Sequence, residues 1–139
     1  MSVSLTRSPG VGLALLRVTV GIVFMAHGYQ KFFQYGLGGV TGAFSGMGIP
    51  LPEIAAPMVA TIELVGGGLL VLGLFHRVAA ALLVGVMVGA IVFAKLSGGF
   101  FAPAGIEFEL TLGVAALCIA LAGGGTMTAD SMIGSKSDG

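Results

Sequence analysis

Residues 11–32, VGLALLRVTVGIVFMAHGYQKF, decide the fold. As a helix this stretch rises about 33 Å, enough to cross a hydrocarbon core of about 30 Å, and up to His27 its one charge is Arg17. Three further apolar runs follow at 54–74, 77–96 and 106–122. They predict an all-α membrane protein, a bundle of four transmembrane helices. The second run, IAAPMVATIELVGGGLLVLGL, carries Glu63 well inside the span. Charges such as Arg17 and Glu63 persist in lipid only where they pair, face the bundle interior or serve a function.

Composition agrees with a membrane setting. Apolar residues make up 56% of the 139 and charged residues only 9%, with a mean hydropathy of +1.07, far from soluble averages. The zero net charge and the lack of a basic cluster remove the electrostatic footprint of a nucleic-acid binder. The length predicts a single domain, 1–139. The opening MSVSLTRSPG has one arginine and no small-residue cleavage site after a short apolar core, so the first span is expected to be retained.

The connections set the topology. Residues 36–52 are glycine-rich and end in GIPLP, where paired prolines suppress helix, so they read as a loop with at most one short helical turn. Phe75-His76-Arg77 makes a tight turn between the second and third spans, a helical hairpin. SGGFFAPAG links the third to the fourth, and GGG at 123–125 precedes a polar tail with Asp130, Lys136 and Asp138. Four spans put both termini on one side. Arg7, Arg77 and Lys136 lie on that side against Lys31 and Lys95 on the other, and Arg17 adds weight, which predicts cytoplasmic termini in a prokaryotic plasma membrane. Ala81, Gly85 and Gly89 in the third span, and Glu109, Gly113, Ala116 and Ala120 in the fourth, predict close-packing faces.

Helix rise gives depths. Counting from the side opposite the termini, here called outer, His27 lies about 7 Å inside, Glu63 about 13 Å and Arg17 about 22 Å. Lys95, Glu107 and Glu109 fall within about 5 Å of the outer boundary. The candidates for ligand binding or proton relay are therefore Arg17, His27, Lys31, Glu63, Lys95 and Glu109. His27 and Lys31, four apart, share a helix face. An arginine reaching outward spans the distance to Glu63, so an Arg17–Glu63 pair fits, either as a static register lock or as a functional pair. His27 reads equally as a titrating group or as a histidine bonded to a neighbouring helix. Glu109 is expected to face the bundle and Glu107 to cap the helix start. Of the aromatics, only Phe75 maps to the inner end. The rest suggest either an outer apolar pocket, with Phe24, Tyr29, Phe93, Phe101 and Phe108 as candidate walls, or a one-sided interfacial belt.

Other chemistries find no support. His27 and His76 map to opposite membrane faces and Cys118 stands alone, so neither a metal site, an internal disulfide nor a thiol pair is expected. Neither GLGGVTG nor the GGG at 66–68 has the lysine and hydroxyl of a phosphate loop. No self-contained catalytic or redox group is visible.

Taken in order, Arg17, HGYQK at 27–31, GIP at 48–50, Glu63 with its glycine run, LGLFHR at 72–77 and Gly125 five residues before Asp130 resemble the DoxX family. The resemblance covers about residues 17–130. It implies a four-helix membrane bundle similar in topology to quinone-binding ones, with a polar signature at Arg17, His27, Lys31, Glu63 and Arg77. Family members include membrane subunits of thiosulfate:quinone oxidoreductase and proteins linked to thiol and oxidative-stress complexes. The resemblance thus implies a redox-associated membrane subunit that takes a quinone or similar apolar ligand in its outer half. Electrons would come from a partner oxidoreductase. Two alternatives remain: a structural subunit of a larger respiratory or photosynthetic complex, and a small proton-coupled transporter acting as a dimer through Glu63.

Overall fold

The computed structural model describes residues 8–137 and is helical throughout its regular structure. Helix α1, Pro9–Tyr29, runs on through a π-helical turn, Gln30–Gln34, into α2, Gly36–Gly46. Then come α3, Pro52–Leu72, and α4, His76–Ala90, which continues through a second π turn at Ile91–Lys95. Helix α5, Glu107–Ala122, and α6, Ala129–Ser137, complete the order. Three of these helical stretches are long and apolar enough to cross a membrane: Pro9–Gln34, Pro52–Leu72 and His76–Gly98. Helix α5, with 16 residues, is shorter. Arg7 and Asp138, two of the charges used to orient the chain, lie outside the described residues, as does the side chain of Lys136.

The largest fully buried side chains are Phe24, Leu70, Leu83 and Ile119, one each from α1, α3, α4 and α5. They belong to one cluster, so these four helices share one core. Large apolar residues such as Leu15, Ile22, Val78 and Leu121 point outward, which suits a hydrocarbon surround. Lipid tails are as apolar as leucine, so what holds such helices together is close packing. The most extensive contact is α1 on α3. There the backbones nearly touch: a methyl added to Gly67 would sit 2.6 Å from the Gly21 carbonyl oxygen and from the Met25 nitrogen. Gly67→Ala is therefore expected to push α1 and α3 apart and cost about 1–3 kcal/mol, read as a lower melting temperature in detergent. An unchanged melt would show that the two helices are not locked at this point.

Two readings of the sequence are corrected here. Residues 36–46, expected as loop, form the 11-residue helix α2. Its apolar side chains recur at Val40, Phe44 and Met47, a helical spacing, and Val40 is buried where α2 packs on α3. The stripe Ala81, Gly85 and Gly89 is not a packing face either. Ala81 is exposed, and a methyl on Gly85 or Gly89 would meet nothing within 4 Å. Helix α4 packs instead through Ala79, Ala80, Leu83 and Met87. On α5 the expected face does pack: Ala116 is fully buried, and a methyl on Gly113 would sit 3.2 Å from Met87.

The α3–α4 hairpin turns at Gly73, which adopts φ 71° and lets Leu74 N–H reach back to the Leu69 carbonyl at 2.9 Å. A side chain there would also strike Thr128 at 2.7 Å, because the segment after α5 folds back over the hairpin. Helix α4 begins without a cap from its own chain neighbours. Asp130 supplies one from α6. Its Oδ1 accepts the Phe75 N–H at 2.9 Å, and its Oδ2 accepts the His76 N–H at 3.3 Å and meets His76 Nδ1 at 2.8 Å. The Phe75 hydrogen bond, followed by those from His76, holds the Asp130 carboxyl below its ordinary acidity of 3.8. A lowered folded value means that the clasp contributes stability above the ordinary carboxylate range and loses it as pH falls through the lowered value. Protection of the Phe75 and His76 amides, measured against the intrinsic exchange rate at each pH, is expected to fall on that acid side, and Asp130→Asn should flatten the pH dependence. Protection that persists in acid would contradict the clasp.

Candidate functional site

Burial of a carboxylate in an apolar bundle demands a partner. Glu63, 2% exposed midway along α3, finds it in Lys31, whose Nζ lies 2.8 Å from Oε1. On the other side of the bundle Lys95 Nζ stands 3.7 Å from Glu109 Oε1 and donates to the Pro103 carbonyl. Glu109 Oε2, also buried, has no partner among the described residues. Both lysines sit in the two π turns, Gln30–Gln34 and Ile91–Lys95. One extra residue per turn shifts the face a helix presents, and such turns recur at functional sites. His27 places its ring against Phe108 of α5, with centroids 5.5 Å apart.

These five polar residues border a single cavity of about 590 Å³. Its walls are apolar: Phe24 on α1, Phe44 and Met47 from α2 and its end, Met58, Val59 and Ile62 on α3, Leu82, Gly85, Val86 and Phe93 on α4, and Phe108 and Leu112 on α5. A volume in the range of about 300–1,000 Å³, with few polar groups in apolar walls, is typical of small-molecule sites.

Of the residues predicted from sequence, His27, Lys31, Glu63, Lys95, Glu109, Phe24, Phe93 and Phe108 all line this cavity. Three do not. Tyr29 lines a separate shallow groove on α1 with Ala26, His27, Gln30 and Gln34, and Phe101 is exposed in the loop before α5. Arg17 lies far from the cavity, at the end of the bundle where the chain folds back after α5. The Arg17–Glu63 pair is not formed. Arg17 reaches instead to the carbonyls of Gly124, Thr126 and Met127 at 3.0, 3.2 and 3.3 Å. The physical reason is local supply and demand. The segment after α5 carries carbonyls that no helix satisfies, and a guanidinium fork matches several acceptors at once. Glu107 opens α5 without making a side-chain cap bond. The contribution of α2 was missed because its glycines read as loop, although the Val40, Phe44, Met47 spacing was there to find.

A sequence profile of the DoxX family matches residues 12–96. A Bacillus subtilis protein provisionally named an oxidoreductase, CatD, is 35% identical over 129 residues, covering 93% of this chain and 92% of its own. A membrane protein of Mycobacterium tuberculosis is 43% identical over 94 residues, 65% of this chain and 57% of its own. The Escherichia coli inner membrane protein YphA is 27% identical over 124 residues, 85% and 87% of the two chains. No solved structure matches. With the profile spanning nearly all of the three stretches long enough to cross a membrane and CatD aligned over nearly the whole length, the chain belongs to the DoxX family.

Proposed function

We propose that this protein is a redox-associated membrane subunit that binds a quinone, or an apolar ligand of similar shape, in the cavity between Lys31–Glu63 and Lys95–Glu109. The cavity carries the reading: about 590 Å³, apolar walls, and two lysine–glutamate pairs with His27 beside them. The name of the Bacillus subtilis relative points the same way. A quinone supplies two-electron, two-proton redox chemistry when bound. The chain's residues would hold it. Lys31 and Lys95 would offer hydrogen-bond donors to its carbonyl groups, His27 with Phe108 would bound the ring, and Glu63 and Glu109 would hold or release protons beside them. Phe24, Phe93 and the α2 side chains keep water from the ring. The electrons would come from a partner oxidoreductase at the membrane.

In the same reading α5 is the fourth span, its 16 residues rising about 24 Å, and the bundle has both termini on the cytoplasmic side of a prokaryotic inner membrane. The contact of Thr126 N–H with the Gly10 carbonyl at 3.1 Å and the clasp of Asp130 on the hairpin support a common end for these segments.

Titration of the purified protein in lipid nanodiscs with menadione tests the site, read by quenching of tyrosine fluorescence or by calorimetry. Saturable binding that weakens in His27→Ala and Lys31→Met is expected. Binding unchanged by either substitution would place the ligand elsewhere.

A further inference from the structure

The cavity has a charged end and an apolar side open to the membrane. Leu82, Gly85, Gly89 and Phe93 follow one another at helical spacing along one face of α4, and all four border it. From Lys95 back to Leu82 this face runs about 20 Å along the helix. Elsewhere the structure uses glycine to bring backbones together, as at Gly28, where an added methyl would sit 2.4 Å from the Leu64 nitrogen. Gly85 and Gly89 do the opposite: a methyl on either would meet nothing within 4 Å. Across the gap Met58 of α3 borders the same space and is 53% exposed, as Leu82 is at 52%. Helix α2 packs on α3 but makes no extensive contact with α4 among the described residues, so the gap is not closed on that side. On the cavity wall Glu109, nine-tenths buried, retains an acceptor oxygen without a partner among the described residues.

We infer that the ligand is an amphiphile with a long hydrocarbon tail, whose head meets the lysine–glutamate pairs while its tail lies over Gly85 and Gly89 and leaves sideways between α2 and α4 into the bilayer. The inference rests on the reading of the cavity as a quinone-type site and adds the tail and its route. The glycines leave a trough of chain width. Met58 and Leu82 give it thioether and aliphatic flanks. A trough open to lipid takes a hydrocarbon chain, so the tail of a bound amphiphile competes there only with lipid. A tailed ligand fills it and needs no aqueous route.

Two probes separate head from tail: menadione, a bare naphthoquinone, and the same ring carrying a four-isoprene tail. In nanodiscs, Gly85→Leu with Gly89→Leu is expected to weaken the tailed probe by about tenfold or more relative to any change in menadione binding. Equal binding of the tailed probe to this variant and to the unsubstituted protein would overturn the tail route while leaving the head site standing. Failure of the unsubstituted protein to bind either probe would overturn the site reading and this inference together. Labelling of the unsubstituted protein by a tailed probe with a photoreactive diazirine at the tail end gives a readout that needs no variant to fold. Adducts at Met58 or Leu82 support the route. Adducts confined to α1 or α5 overturn it.

Discussion

Lys31→Met is expected to destabilise the protein by about 3–5 kcal/mol, and adding Glu63→Leu in the same chain is expected to recover most of that loss. The asymmetry comes from burial. The Glu63 side chain is 3% exposed and its Oε1 lies 2.8 Å from Lys31 Nζ, so removing the lysine strands a carboxylate in apolar surroundings. Removing both leaves two apolar side chains of similar volume in an apolar bundle, which costs little. Lys31 itself is 20% exposed and can turn toward the boundary, so Glu63→Leu alone should cost less than Lys31→Met alone. Thermal or denaturant unfolding in a fixed detergent measures all three variants. A double variant no more stable than Lys31→Met would show that the pair is not what makes the single substitution costly.

Arg17→Met is expected to free the chain after α5. Arg17 is 2% exposed and donates to the carbonyls of Gly124, Thr126 and Met127, so its loss leaves three buried or half-buried acceptors unmet, at about 3 kcal/mol or more in total. The same segment carries Asp130 to the α3–α4 hairpin, so the effect should extend to that clasp. Limited proteolysis should cut between residues 123 and 130 far faster in Arg17→Met. Arg17→Lys should restore only part of the protection, because a single ammonium cannot span three carbonyls as a planar fork does. Undiminished protection in Arg17→Met would mean that the segment is held by other contacts. Menadione binding should persist wherever the variant stays folded, since Arg17 does not border the cavity.

What could be read from the sequence followed from length and periodicity. Apolar runs of membrane-crossing length gave three spans within a few residues, and helix rise alone grouped His27, Lys31, Glu63, Lys95 and Glu109, all of which border one cavity. The pairing was not legible. Depth along a helix says nothing of the direction a long side chain takes, and Arg17 turned to free carbonyls made available only when the chain folds back after α5. The π turns that carry Lys31 and Lys95 have no sequence mark that the apolar pattern shows, yet they set the faces those lysines present. Small residues misled in both directions. Those of α2 hid a helix, and those at 85 and 89 read as packing where the structure leaves open space.

The central claim, that the cavity bordered by Lys31–Glu63 and Lys95–Glu109 holds a quinone-type ligand, is tested most directly on material from native membranes. The measurement is mass spectrometry of the small molecules and proteins that copurify in mild detergent. The account predicts one tailed quinone per chain, lost in His27→Ala and in Glu63→Gln variants that remain folded, together with an oxidoreductase partner. A folded preparation that carries no quinone, or one whose quinone is unaffected by both substitutions, would contradict it.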